Sequence, residues 1–103
     1  MASYILSQEA EEDLRDIAKY TLDNWGKAQL NLYRQVLKKK LEGIAQGNLV
    51  SRVFSNNLPQ IKFTKAGSHF IFYLTPATSV PIIIGVIHEN RDIVKHLTSR
   101  LSA

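Results

Sequence analysis

The sequence predicts an α+β domain: an N-terminal strand, an antiparallel helical hairpin packed on an antiparallel sheet, and a short C-terminal helix or tail. Three observations lead there. From Ser7 to Gly47 the apolar residues recur at helical spacing over two consecutive stretches. From about residue 59 to 88 they fall instead in short β-branched and aromatic runs, "IKFTKA", "HFIFYL" and "IIIGVIH". Strands follow helices without alternating with them, which disfavours a doubly wound parallel sheet. With 103 residues and 45% apolar content, the chain has the size and composition of a single domain spanning 1–103.

The first element, "SYILS" at 3–7, reads as a short strand. Ser7 fits a helix N-cap, because its hydroxyl can accept from an unpaired backbone N–H one turn on. The acids that follow sit at the positive end of the helix dipole. Along the first helix Ala10, Leu14, Ile17, Ala18 and Thr21 form the inward stripe. Glu9, Glu12, Asp13 and Asp16 are placed on the other side, with Tyr20 among them. "NWGKAQ" interrupts the pattern at Gly26. The second helix then runs from about Lys27 to Gln46, turns Leu30, Tyr33, Leu37, Leu41 and Ile44 inward, and ends at Gly47. Two helices joined this closely pack as an antiparallel hairpin. At 100° per residue Ala28, Leu32 and Val36 fall opposite the inward stripe. One apolar face can lie on the sheet; the other must meet the first helix, a partner or water.

Residues 48–58 show at most a little strand. Ile61 and Phe63, alternating with Lys62 and Thr64, give a half-buried strand joined near Ala66-Gly67 to the next. The apolar run at 82–87 is read as a central strand buried on both faces. The expected register sets Phe72 opposite Gly85, and with it Tyr73 opposite Ile84, Ile71 opposite Val86 and His69 opposite His88. The Phe72 ring would then cover the strand glycine. In "ENRDIVKHLTSRL", Asp92 near the start and Ile93, Leu97 and Leu101 four apart predict a short final helix.

Charge is unevenly spread. Residues 1–24 hold six acids and two bases, net −4; residues 25–103 hold eleven bases and three acids, net +8. A basic body favours an anionic partner. No apolar run approaches the roughly 20 residues of a membrane span. The N-terminus turns acidic without the basic lead of a signal peptide, and there is no cysteine, so a cytoplasmic protein is expected. "HENRDIVKH" offers His88, Glu89, Asp92 and His96 without the i, i+4 histidine spacing of a zinc helix, and no Gly-rich phosphate loop is present. No metal or cofactor is expected. In a strand His88 and Glu89 point to opposite faces, which argues against an acid–base pair. His69 and His88 read as structural residues at strand ends.

"YILSQEAEEDLRDIAKYT", "WGKAQ", Tyr33, "GSHFIFYL" and "VIHENRD" followed by "HL" together resemble, in the same order and over nearly the whole chain, the ParE toxins of the RelE/ParE superfamily, the plasmid-stabilisation type most of all. The resemblance implies a non-enzymatic toxin of a type II toxin–antitoxin pair, one that inhibits DNA gyrase and replication by protein binding. It implies a ParD-type antitoxin that wraps the toxin along helices and sheet, with operator DNA reached only through the antitoxin. The rival within the superfamily is a RelE-type ribosome-dependent mRNA endonuclease, which needs strand-borne cations against charge developing on a phosphate. Here "PIIIGVIH" carries no Arg or Lys and no tyrosine follows Tyr73, which favours the gyrase-binding reading. Antitoxin contacts are expected at Tyr20, Ala28, Leu32, Arg34, Val36, Lys38, Lys39 and Lys40. Target contacts are expected on the basic C-terminal half, at Lys62, Lys65, His69, His88, Glu89, Arg91, Lys95, His96 and Arg100.

Overall fold

The computed structural model describes residues 3–47, 52–56, 58–77 and 79–101. In chain order the elements are β1 (Ile5–Leu6), α1 (Gln8–Trp25), α2 (Lys27–Gln46), β2 (Arg52–Ser55), β3 (Leu58–Ala66), β4 (His69–Leu74), β5 (Ile82–His88) and α3 (Ile93–Leu101). Ser7 caps α1 as expected, its hydroxyl accepting from Ala10 N–H at 3.1 Å. Gly26 and Gly47 end the two helices with φ of 88° and 72°. The strand in the ambiguous stretch is β2; residues 48–51 and 57 lie outside the described residues.

The five strands form one sheet in the order β1-β5-β4-β3-β2. The hairpin of α1 and α2 covers one face, where Ala10, Leu37, Leu41 and Ile44 pack on Ala66, Ile71, Tyr73, Ile83 and Val86. On the other face Ile61, Phe72, Ile84 and Ile87 are closed over by Leu97 of α3, which is fully buried. That single leucine contributes about 2 kcal/mol of apolar burial. Phe54 meets Phe72 edge-on at 5.5 Å, and Phe63 meets Phe70 likewise at 5.7 Å, extending this second core toward β2. β5 is buried on both faces because each core draws on it.

The sheet differs from the expected antiparallel one at its edge. β2 to β5 are antiparallel, but β1 runs parallel to β5, with Ile5 opposite Ile82 and Leu6 opposite Ile83. A two-residue strand carries no periodicity from which a direction could be read. The register holds at Phe72 with Gly85, Ile71 with Val86 and His69 with His88. It departs at Tyr73, which faces Ile83 and not Ile84, because a bulge falls there.

On the other edge of β5 side chains take over from backbone. β1 ends after Leu6, and among the described residues no strand pairs with the outer edge of β5 beyond it. Val86 N–H donates instead to Asp13 Oδ2 at 2.9 Å, and Ile84 C=O accepts from Arg100 Nη1 at 3.0 Å. The two side chains close on each other, with Arg100 Nη1 and Nη2 donating to the Asp13 carboxylate at 2.8 and 2.9 Å. Gly85 makes room for this: a Cβ there would stand 2.6 Å from Arg100 Nη1. The glycine thus clears space for a guanidinium, and Phe72 is not its nearest neighbour. Asp13, expected among the solvent-facing acids, turns inward. It lies three residues after Ala10 and four before Ile17, which is stripe spacing.

Removing one partner of this enclosed pair leaves the other charge unpaired. Arg100→Ala is expected to lower unfolding stability by about 2–3 kcal/mol. Gly85→Ala should cost a similar amount alone but little in the Arg100→Ala background. Denaturant melts of the four proteins in that cycle check this, and effects that add within about 0.5 kcal/mol would separate Gly85 from the pair.

Candidate functional site

Gly67, at φ 60°, turns β3 into β4 directly against the Tyr33 ring of α2. A Cβ at this position would lie 2.5 Å from Tyr33 Cε1, so both the backbone angle and the space call for glycine. The Tyr33 hydroxyl then meets three groups of the turn. It lies 3.1 Å from Ala66 C=O, accepts from Ser68 N–H at 3.2 Å, and bonds His69 Nδ1. The His88 ring stands edge-on to His69, with centroids 5.1 Å apart. His88 Nδ1 accepts from Asn90 N–H at 3.1 Å, so in the neutral ring the proton sits on Nε2. Burial, with His88 as the second cause, lowers the His69 pKa to about 4, while Asp13 and Glu89 pull weakly the other way. His69 is therefore neutral near pH 7. His69 ties the start of β4 to α2 through Tyr33, and His88 packs on it from the end of β5.

This floor opens into a surface depression of about 900 Å³, walled by Asp16 and Tyr20 of α1, Trp25 at its end, Gln29 of α2 and Arg91 after β5. A second hollow, about 310 Å³, follows the seam between the helices. Leu14, Ala18, Leu30, Leu37 and Leu41 line it, and Arg15, Arg34 and Lys38 stand around it. Among the described residues no group of three or more His, Asp or Glu side chains could hold a metal ion.

The residues expected to contact an antitoxin divide among three places. Leu32 is 58% exposed and Val36 41%, with Ala28 and Lys39 exposed on the same side of α2, whereas Arg34 and Lys38 are exposed on the side that borders the interhelical seam and Lys40 is half-buried. Tyr20 instead lines the depression with the histidines. The residues expected to contact a target divide further. His69, His88 and Arg91 meet in the depression, and His88, Arg91 and His96 also edge a smaller cleft against Glu12 and Asp16. Lys65 is bound to Glu89 at 2.8 Å, and that contact holds the Glu89 carboxyl below its usual pKa. Lys62 and Lys65 point to opposite faces of the sheet, so they do not extend one patch. Lys95 is exposed on α3. Arg100 is the clear departure: its side chain is 17% exposed and committed to Asp13. Sequence reasoning passed over Trp25 and Gln29, which no periodicity marks as site residues.

The family profile described as "ParE toxin of type II toxin-antitoxin system, parDE" matches residues 4–93. The chain belongs to the ParE toxin family. It is 33% identical over 101 residues to Toxin ParE of Escherichia coli, covering 98% of both proteins. It is 31% identical over 97 residues to Toxin ParE1 of Caulobacter vibrioides, covering 94% of this chain and 99% of that protein. With Toxin ParE1 of Mycobacterium tuberculosis it shares 28% identity over 94 residues, covering 91% and 96%. The fold matches a chain of the chromosomal ParDE TA system from P. aeruginosa with a TM-score of 0.70 at 14% identity, covering 85% of this chain and 96% of that one. At that identity the likeness concerns the fold alone.

In this ParE-family chain the His69 pKa lies below its unfolded value of 6.5. As pH falls the unfolded chain takes up the proton first. The His69 contribution is therefore complete above about pH 6.5 and is lost as pH drops toward 4. Thermal melts should show the melting temperature declining over that window, and less steeply in His69→Gln. An NMR titration midpoint for His69 at 6.5 or above would contradict the assignment.

Proposed function

We propose that this ParE-family chain arrests growth by binding DNA gyrase in the cytoplasm, with no bond-breaking chemistry, and that a ParD-type antitoxin seated on the helical hairpin silences it. The observation that carries the antitoxin half is the outer surface of the hairpin. Leu32 and Val36 remain uncovered there beside Lys39, while the apolar seam, with Arg15, Arg34 and Lys38 around it, lies on the other side of α2. An amphipathic helix laid on such a surface uses apolar anchors for affinity and charges for steering. Operator DNA is reached through the antitoxin.

The gyrase half rests on the likeness to ParE toxins and on how the cations are spent. A phosphate-cleaving site needs free cations aimed at one position. Lys65 is bound to Glu89 and Arg100 to Asp13, β5 supplies none, and His69 is held by Tyr33. Among the cations expected at the target, Arg91 is the one that opens into the depression beside His88.

Leu32→Asp is expected to weaken antitoxin binding at least about tenfold while leaving the melting temperature nearly unchanged, as read by calorimetric titration and thermal melts. The wild-type toxin should inhibit gyrase supercoiling and leave ribosome-bound mRNA intact. Ribosome-dependent cleavage lost in Arg91→Ala or His88→Ala would make it an endonuclease and overturn the proposal.

A further inference from the structure

Trp25 is 69% exposed and Tyr20, five residues earlier on α1, is 63% exposed. Gly26 turns the chain at once into α2, which leaves Trp25 at the tip of the hairpin. Neither ring belongs to either core. Large aromatic rings left in water around one concavity mark a binding surface. We infer that the depression between the hairpin tip and the ends of β4 and β5 is where the toxin grips its target protein, with Trp25 and Tyr20 as apolar anchors and Arg91 and the His88 Nε2–H as polar contacts. This rests on the reading of the chain as a toxin that acts by binding a protein.

Three observations converge on a protein occupant. Trp, Tyr and Arg are the side chains that carry most binding energy at protein interfaces. The floor is already rigid, since the Tyr33 hydroxyl ties Ser68 and His69 in place, so little ordering is left for binding to impose. The charges are mixed: Asp16 and Arg91 face the same depression, and His69 on its floor is neutral. A polyanion would meet Asp16 as repulsion. A loop or helix end can present an apolar side chain to Trp25, a carboxylate to Arg91 and an N–H to Asp16. The volume, about 900 Å³, admits several side chains, where the interhelical seam holds about 310 Å³.

The experiment uses the full chain and its co-encoded antitoxin. Growth arrest, inhibition of purified gyrase, antitoxin affinity and melting temperature are measured for wild type, Trp25→Ala, Trp25→Phe and Tyr20→Ala. Trp25→Ala and Tyr20→Ala should each weaken arrest at least about tenfold in the toxin dose required, with antitoxin affinity within about threefold and an unchanged melting temperature. Trp25→Phe should retain most of the activity, and it decides the matter if Trp25→Ala melts early. Full arrest by both alanine variants overturns the inference, as does loss of antitoxin affinity by the same factor. Binding of oligothymidine by the wild type that disappears in Trp25→Ala would assign the depression to nucleic acid and overturn it too. If the wild type arrests growth without inhibiting supercoiling, the gyrase reading fails alone, and the contrast in growth arrest still decides this one.

Discussion

The unpaired outer edge of β5 is the constraint around which this fold is arranged. β1 covers only the first residues of that edge, and the remaining backbone groups need partners that no strand among the described residues supplies. Asp13 and Arg100 supply them from opposite sides, one from the helical layer and one from α3. An enclosed carboxylate or guanidinium alone would be costly, but each is the other's counterion and both are hydrogen-bonded to the same strand. The consequence is that one bidentate contact joins three layers. α1 is fixed to the sheet, α3 is fixed over the second core, and the chain between β5 and α3, which follows His88 and carries Arg91, is anchored at both ends.

Much of this was legible in the residues. The helices and their glycine stops follow from apolar spacing. The β4–β5 register, read from Phe72 set against Gly85, holds from His69 to Phe72 and fails at Tyr73, where the bulge could not be foreseen. What could not be read was the partner of each polar residue. Gly85 has two physical explanations, a ring laid over a gap or a gap occupied by another group, and only the three-dimensional path of α3 selects the second. Arg100 sits in the last turn of a basic helix, where a solvated cation is the default expectation. Asp13 was detectable in principle, because an acid at stripe spacing between Ala10 and Ile17 has to meet something in the interior.

The candidate surfaces show the same limit. Exposure of Ala28, Leu32 and Val36 could not be read from their position on α2, since the face opposite the inward stripe was as free to meet α1 as to meet water, and only the packing of the hairpin leaves it uncovered. The depression is less legible still. It draws on α1, α2, the β3–β4 turn and the segment after β5, four places far apart in sequence, and its lining includes residues as unlike as Asp16, Trp25 and His69. No local pattern encodes such a meeting. Cations that look like one patch in sequence are, in the fold, divided by the sheet: Lys62 on one face, Lys65 on the other, and Arg100 inside.

Ile17 and Tyr33 line both the interhelical seam and the depression, so the two hollows share a wall. A partner seated in the seam would touch the back of the side chains that floor the depression. For it to reshape that floor it would have to move the Tyr33 hydroxyl away from Ala66, Ser68 and His69. Each hydrogen bond given up costs about 1 kcal/mol net, and more where a buried group is left unpaired. Gly67 adds a steric limit, since the turn lies so close to the Tyr33 ring that even a Cβ there would clash with it. A binding partner on the hairpin therefore has little leverage on the depression through the shared wall. Entry of a target from the tip at Trp25 meets no such resistance, because that side is open to solvent.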